Sequence, residues 1–379
     1  MNPINRRKFS TTLAGGLAGG VLLPALPSLY ACSPGPASQK KLGVALVGLG
    51  SYSTYQLAPA LQQTEHCYLA GIVTGTPSKE KKWMDQYGIE REHVYNYETF
   101  DQIASDDAID IVYVVLPNSM HAEFSIRAAK AGKHVICEKP MAMNVAECDA
   151  IIQACQQAGV KLGVGYRLHS EPYTQEVKRL VREKTFGAVN FVTSEAAYIS
   201  RGNPNQWRLN KSLSGGGALM NMGVYSIQSS IYGCGKNPIS VQAQEFSTRP
   251  DYFKDTDETI TAQFEFPGGT VGQMMTSHNA RANRLYASCE RGWFELEPSS
   301  TYIPLDGRTS KGPMEFPQES QQKLQMDDFA RHILEGAPNR APGEMGKRDM
   351  IIVEAIYRSI AEGGRKVPLD LPPDYGLGG

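Results

Sequence analysis

The segment "KHVICEKP" ends an apolar run on a carboxylate and an ammonium, Glu138 and Lys139. Ligands of open parallel sheets bind beyond the carboxyl ends of the strands, so a lysine there can face a bound molecule. In that position it lowers the pKa of a neighbouring hydroxyl and stabilises a developing alkoxide. The same two residues could also serve only as a surface ion pair capping the strand. The preceding strand ends in "VVLPNSMH", which places Leu116, Pro117, Asn118 and His121 at the same edge as candidate cofactor contacts.

A second constellation lies near the start of the folded chain. In "VALVGLGSYS", Gly48, Gly50 and Ser53 have G-x-G-x-x-S spacing between a strand and a helix, with Leu49, Ser51 and Tyr52 filling the turn. Glycines at this junction allow a tight turn and close backbone approach to a pyrophosphate seated on the helix N-terminus. Ser53 stands where the third glycine is usual.

The end of the next strand discriminates between cofactors. An NAD site usually has an acid ~20 residues downstream to hold the ribose 2′-hydroxyl. Here "IVTGTPSKEKK" has no acid before Glu80 and offers Thr74, Thr76 and Lys79 instead. Hydroxyls and an ammonium suit a 2′-phosphate, which a carboxylate would repel. NADP is therefore expected, with NAD as the weaker alternative and a solvated lysine as the plain reading of Lys79.

The elements that position these residues follow from the rhythm of the chain. From Lys41, apolar strands ("LGVALVGLG", "CYLAGIVTG", "IDIVYVVLPN", "KHVICEKP", "KLGVGYRL") alternate with helical stretches such as "KEKKWMDQYG" and "VAECDAIIQACQQAG". Strands without polar alternation are buried on both faces, which predicts an α/β Rossmann domain over 41–165 with a doubly wound parallel sheet. Longer, half-polar strands follow ("GAVNFVTSEAAYIS", "PISVQAQEFSTR", "TITAQFEFPGG", "TVGQMMTSHN"). They predict a C-terminal α+β domain over 166–379 with a large open, mostly antiparallel sheet, closed by two helices.

The first residues read as a leader rather than as fold. "NRRKFSTTLAGGLAGGVLLPALPSLYAC" carries an arginine pair ahead of a weakly apolar Gly/Ala-rich stretch, broken by prolines and too short to span a membrane. Residues 1–32 are expected to be a twin-arginine signal directing the protein to the periplasm, with 33–40 a polar tether. "LYAC" leaves open a lipid anchor on Cys32 or ordinary cleavage nearby. The net charge of -1 gives no basic face for nucleic acid. The six later cysteines have no metal-binding spacing, no His/Asp/Glu cluster suggests a metal, and buried packing is their expected role.

Taken together, "VGLG", "LPNSMHAEFSIRAAKAGKHVICEKPMA", "GYRLH", "QWRLNKSLSGGGALMNMGVY" and the late "PGEMG" resemble the glucose-fructose oxidoreductase branch of the Gfo/Idh/MocA oxidoreductases. The resemblance runs from about Lys41 to beyond Ile356. It implies that Lys139 and Tyr225 flank the reacting carbon, the tyrosine taking a sugar hydroxyl proton while hydride passes to nicotinamide. A phenol of unperturbed pKa ≈ 10 needs a nearby cation for that work. It further implies that Tyr166, Arg167, His169, Trp207 and Arg208 line the cleft, with Tyr166 and His169 toward substrate, and that the chain forms dimers or tetramers. By periodicity alone Tyr225 could be a core aromatic, and the glycine run before it offers exposed N–H groups to a ligand.

One departure from the resemblance bears on activity. Where sugar-oxidising relatives carry an aspartate four residues before the tyrosine, this chain has Asn221, which can orient a hydroxyl but cannot act as a base. The expected function is a periplasmic NADP-dependent aldose oxidoreductase. The alternatives are a nicotinamide-dependent exported glycosidase and a catalytically silent sugar-binding protein.

Overall fold

The computed structural model describes residues 40–377. The expected leader, Cys32 and nearly all of the tether fall outside the described residues. Strand β1 (Leu42–Val47) is buried at all six positions, as an apolar run without alternation requires of a strand covered on both faces. It pairs in parallel with β2 (Cys67–Val73) and β4 (Ile111–Val114). With β3 (Val94–Tyr95), β5 (His134–Cys137) and β6 (Leu162–Val164) the sheet order is β3-β2-β1-β4-β5-β6, the doubly wound order of dinucleotide-binding domains.

Local signals start and stop the connecting helices. The turn after β1 begins as a π-helical segment, Ser53–Leu57, and runs into α1 (Ala58–Leu61). Helix α2 (Pro77–Tyr87) has proline in its first turn and Gly88 at φ 67° beyond its end. Helix α3 (His121–Lys130) follows β4. Asn144 caps α4 (Val145–Ala158) by accepting from the Glu147 backbone N–H, while the Glu147 side chain accepts from the Met143 N–H.

After α5 (Pro172–Arg182) the chain enters a nine-stranded sheet built on β7 (Val189–Ile199). Its other strands are β8 (Ser240–Phe246), β9 (Thr259–Glu265), β10 (Val271–Ser277), β11 (Asn279–Cys289), β12 (Gly292–Leu296), β13 (Gly307–Thr309), β14 (Gly312–Pro313) and β15 (Val367–Pro368). The order is β14-β13-β12-β11-β7-β10-β9-β8-β15, antiparallel throughout except for the β7–β10 pair. Strands β11 and β12 were not foreseen. "NARANRLYASC" is too polar to read as a strand on its own, and it owes its place to pairing with β7 and β12.

Short α6 (Lys211–Ser214) and α7 (Val224–Cys234) lie between β7 and β8, and α7 packs on β7, β10 and β11. All eleven residues of α7 are buried, so it is the core element of this half. Near the end of the chain, α8 (Gln321–Glu335) and α9 (Gly343–Ala361) diverge. Helix α9 packs on α4 and β8, whereas α8 returns to the first sheet beside α1 and β2. Met326, Phe329 and Ala330 of α8 share one core with Leu42, Leu46, Leu57 and Leu69. The helix thus lies in the second half by chain order and joins the first by packing.

A single carboxylate pins that return. Asp327, 6% exposed, accepts from the backbone N–H groups of Glu65 (3.0 Å) and His66 (2.8 Å), which lead into β2. Removing it leaves two backbone donors without their partner. Asp327→Ala is therefore expected to lose about 1–3 kcal/mol of stability, read as a lower denaturant midpoint at unchanged slope. An unchanged midpoint would show that α8 docks by its apolar face alone.

Candidate active site

A cleft of about 980 Å³ opens along the carboxyl ends of the first sheet and extends under β7 and the start of α7. That volume is at the upper end of the roughly 300–1,000 Å³ typical of small-molecule sites. Among the described residues that line it are four cations (Lys79, Lys139, Arg167, Arg208) and one carboxylate, Glu138. The balance favours an anionic ligand.

One end of the cleft is the glycine turn. Gly48 adopts φ +94°, and a Cβ there would meet the Val115 carbonyl at 2.5 Å, so only glycine fits. Nothing lies within 4 Å of where a Gly50 Cβ would sit, which leaves open backbone beside Leu49, Ser51 and Tyr52. Ser53 is different from its expected role: it is fully buried and its Oγ donates to the Gly48 carbonyl at 2.6 Å. It braces the turn from behind rather than facing a ligand, because its Cβ lies on the inner side of the first helical turn.

At the end of β2, Thr74, Thr76 and Lys79 all line the cleft. Thr74 Oγ1 accepts from the Thr76 N–H at 3.1 Å, and Lys79 Nζ donates to the Leu49 carbonyl at 2.7 Å, tying α2 to the glycine turn. Lys79 is thus held beside the turn rather than solvated. Glu80, the nearest acid, pairs with Arg91 and does not line the cleft. A dinucleotide fits this donor set: open backbone at Gly50, hydroxyls and an ammonium after β2, and no carboxylate there.

The middle of the cleft is held by the ends of β4 and β5. His121 sits between two carbonyls, with Nδ1 2.8 Å from Pro140 O and Nε2 2.8 Å from Leu116 O, so it joins the two strand ends. Burial lowers its pKa, and the two carbonyl oxygens oppose that shift. Asn118 Nδ2 donates to the Ser214 carbonyl at 2.7 Å and links the domains. Leu116 and Pro117 complete this wall. Glu138, 8% exposed, accepts from the Tyr113 hydroxyl at 2.7 Å and from the Lys139 N–H at 3.1 Å. Burial raises the pKa of its carboxyl, against these donors and the nearby Lys139 and Arg167 charges.

Lys139 and Tyr225 converge. Lys139 Nζ lies 4.7 Å from the Tyr225 ring centroid and donates to the Asn221 carbonyl at 2.6 Å. The ammonium therefore stands over the face of the phenol. Arg167 approaches the same ring at 5.3 Å and the Tyr302 ring at 4.7 Å. Arg167 lines the cleft, and its guanidinium is turned toward the Ser300 carbonyl (2.7 Å), the Thr301 carbonyl (3.0 Å) and Gln321, with both tyrosines beside it. Burial depresses the Lys139 pKa, and the Tyr225 and Glu138 charges oppose that depression only partly.

Asn221 lines the cleft with its nitrogen engaged: Nδ2 contacts the Tyr198 hydroxyl at 3.1 Å and His278 Nε2 at 3.0 Å. Burial pushes His278 down to about 4, so the ring is neutral and Nε2 can accept. Oδ1 is then the hydrogen-bonding atom that Asn221 has left to offer, an acceptor suited to a hydroxyl. Trp207 and Arg208 form the outer wall, with Arg208 4.4 Å over the indole.

Two expected substrate residues lie elsewhere. Tyr166 is 2% exposed and its ring packs beside His169, away from the cleft. His169 bonds to Gln228 and lines a separate cavity. The strand-to-helix turn after β6 sends Arg167 forward and its neighbours into the second domain. The glycine run also differs from expectation. The N–H groups of Gly217 and Leu219 donate at 2.7 Å each to Asp257, not to a ligand, and the Tyr357 hydroxyl joins the same carboxylate. Glycine is needed at 217 because a Cβ would collide with the Asp257 backbone. The six cysteines among the described residues are buried and unpaired, as expected.

Sequence reasoning missed Tyr198, His278, Asn283 and Tyr302. Asn283 Oδ1 accepts from the N–H and hydroxyl groups of Ser299 and Ser300. That anchor presents Tyr302 to the glycine turn, where its ring stacks on Tyr52 at 6.1 Å. None of these residues sits in a spaced motif; Tyr198, Asn283 and Tyr302 line the cleft and His278 stands behind Asn221, brought there by the pairing of β7, β10 and β11.

Residues 42–166 match the oxidoreductase family with NAD-binding Rossmann fold, and residues 174–295 match the GFO/IDH/MocA C-terminal domain. The chain belongs to the Gfo/Idh/MocA oxidoreductases. Among solved structures it is similar to aldose-aldose oxidoreductase from Caulobacter crescentus complexed with glycerol, with 41% identity, 87% of this chain and 100% of that chain covered, and a TM-score of 0.84. Among curated proteins it is 28% identical to D-xylose 1-dehydrogenase [NADP(+)] of Haloarcula marismortui over 85% of this chain and 92% of that one. A second D-xylose 1-dehydrogenase (NADP(+)), from Haloferax volcanii, is also 28% identical, over 87% and 98%.

The Lys139 geometry sets a pH limit. An amine whose pKa is lowered is charged below that value and loses its proton as pH rises through it. The alkaline limb of kcat/KM is therefore expected below 10.5, the ordinary lysine value. It should move upward in Lys139→Arg if residual activity permits. A limb at or above 10.5 would contradict the assignment.

Proposed function

We propose that this chain is an exported NADP-dependent sugar oxidoreductase that oxidises one aldose to its lactone and reduces another on a retained nicotinamide. The observation that carries the reading is the convergence of Lys139, Arg167 and Tyr225 in one cleft with the glycine turn. The names of the relatives support the substrate class, and their NADP specificity agrees with the Thr74, Thr76 and Lys79 set.

A bound nicotinamide accepts or supplies the hydride. The protein's own groups handle the proton and the charge. Tyr225 receives the proton of the sugar hydroxyl as the carbinol is oxidised, then returns it to the carbonyl oxygen of the second sugar as that carbon is reduced. Lys139 and Arg167 stabilise the negative charge that passes through the phenol and the substrate oxygen. Asn221 Oδ1 accepts from a further sugar hydroxyl and orients the ring. Tyr302 and Tyr52 close over the turn and hinder release of the dinucleotide.

Retention of cofactor fits the expected twin-arginine leader, because that route carries folded proteins and a nicotinamide could leave already seated. Pairing of two copies across the open face of the second sheet is part of the proposal. Its outward positions include Gln242, Gln244, Gln263 and Gln273, polar but uncharged.

The test is absorbance and mass spectrometry of the purified protein before and after an aldose panel. NADP should copurify, become reduced with one or more aldoses and be reoxidised by a second sugar. Tyr225→Phe should slow the reduction about 10²- to 10⁴-fold with the cofactor still bound. Loose cofactor, no reduction by any aldose, or free sugar released from an aryl glycoside without net redox would overturn the reading.

A further inference from the structure

Of the four residues that sequence reasoning missed, His278 alone is fully buried. It joins β10 to β11, and its backbone is pinned at both groups. Its N–H donates to the Glu258 carbonyl at 2.9 Å, and its carbonyl accepts from the Ser200 N–H at 2.7 Å. The ring packs against Tyr198, at 5.0 Å between centroids, and against Phe253, at 6.2 Å. Its polar contact is with Asn221, 3.0 Å from Nε2.

Asn221 is held as firmly by its own main chain. It sits in the π-helical turn Leu219–Gly223 ahead of α7, where its N–H donates to the Gly217 carbonyl at 3.1 Å and its carbonyl accepts from Lys139. What stays open is the direction of the side-chain amide. Its two ends have nearly the same shape, one carrying two N–H donors and the other an accepting oxygen, so the partners decide which way it faces. Nδ2 meets the Tyr198 hydroxyl and His278 Nε2. A hydroxyl can give or take a proton and does not fix the amide by itself. A neutral imidazole can, because one of its nitrogens must donate and the other must accept.

The ring is neutral, since burial pushes its pKa down to about 4. With Nε2 facing an N–H, the single ring proton resides on Nδ1. That nitrogen is sealed and has no hydrogen-bond partner among the described residues. A buried N–H left unpaired is rare and unfavourable. A ring kept for packing alone gains nothing from it, so the nitrogen that matters is Nε2. At the far end of the amide, Asn221 Oδ1 accepts from nothing among the described residues, is not sealed, and belongs to a residue that lines the cleft.

We propose that His278 is a positioning residue for the sugar: its Nε2 takes one N–H of Asn221 and so turns Oδ1 into the cleft as an acceptor for a sugar hydroxyl. The inference rests on the oxidoreductase reading and deepens it. A substrate hydroxyl is selected through a ring that does not itself line the cleft.

The first test is nitrogen NMR of the full chain labelled at histidine, with the resonances lost in His278→Gln assigning this ring. The parent should show the Nδ1–H tautomer. Asn221→Asp, whose carboxylate only accepts, should move the proton to Nε2. The second test is aldose-driven reduction of the bound cofactor. His278→Phe keeps a ring against Tyr198 and Phe253 and removes the acceptor. The half-saturating aldose concentration should rise about tenfold or more. The limiting rate should stay within about threefold, because the hydroxyl bond is made in ground state and transition state alike. His278→Gln, whose amide oxygen replaces Nε2, should restore the parent value, which separates a lost acceptor from disturbed packing. In an Asn221→Ala background, His278→Phe should add nothing.

Four results in an active parent would overturn this inference alone: the Nε2–H tautomer, unchanged half-saturation in His278→Phe, no restoration by His278→Gln, or the same increase with and without the Asn221 amide. A parent whose cofactor no aldose reduces would instead overturn the oxidoreductase reading, and this inference with it.

Discussion

Two cations against the face of one phenol are the constraint on which the site depends. Lys139 comes from the end of β5 and Arg167 from the turn after β6, while Tyr225 begins α7 in the other half of the chain. Burying two like charges so close to one ring is costly unless each is tied and an electron-rich group lies between them. The ties are visible: Lys139 donates to the Asn221 carbonyl, and Arg167 to the Ser300 and Thr301 carbonyls. Each tie runs from the first half of the chain to the second, so the charges also hold the two halves in register.

The surrounding network keeps that arrangement from relaxing. Tyr113, itself held by Gln325, donates to Glu138, so the one carboxylate that lines the cleft among the described residues is fixed beside the lysine. Asp257 gathers Gly217, Leu219 and Tyr357 and thereby sets where α7, and with it Tyr225, begins. Asn283 fixes the loop that carries Tyr302 to the glycine turn. These groups need never touch a substrate, yet the cleft's shape rests on them.

Much of this was legible in the chain itself. Uninterrupted apolar runs announced a sheet buried on both faces, and glycine spacing placed the dinucleotide turn, because both depend on local composition. Lys139 was legible as a charge at a strand end where none is needed for packing. Less legible was direction. Tyr166 and His169 flank Arg167 in "GYRLH", and only the turn after β6 decides that the arginine enters the cleft while its neighbours point into the second domain. Ser53 likewise sits in the right motif and faces inward. Tyr198, His278 and Tyr302 were invisible because their meeting is a product of long-range strand pairing, which no short stretch encodes.

The central claim is that the Lys139 ammonium and the Tyr225 phenol act as one unit on the reacting oxygen. A double-mutant cycle on single-turnover cofactor reduction, using Lys139→Ala, Tyr225→Phe and the pair, tests it directly. If they act as a unit, the double variant is about as slow as the slower single variant. Losses that multiply in the double variant would show two independent residues and contradict the account.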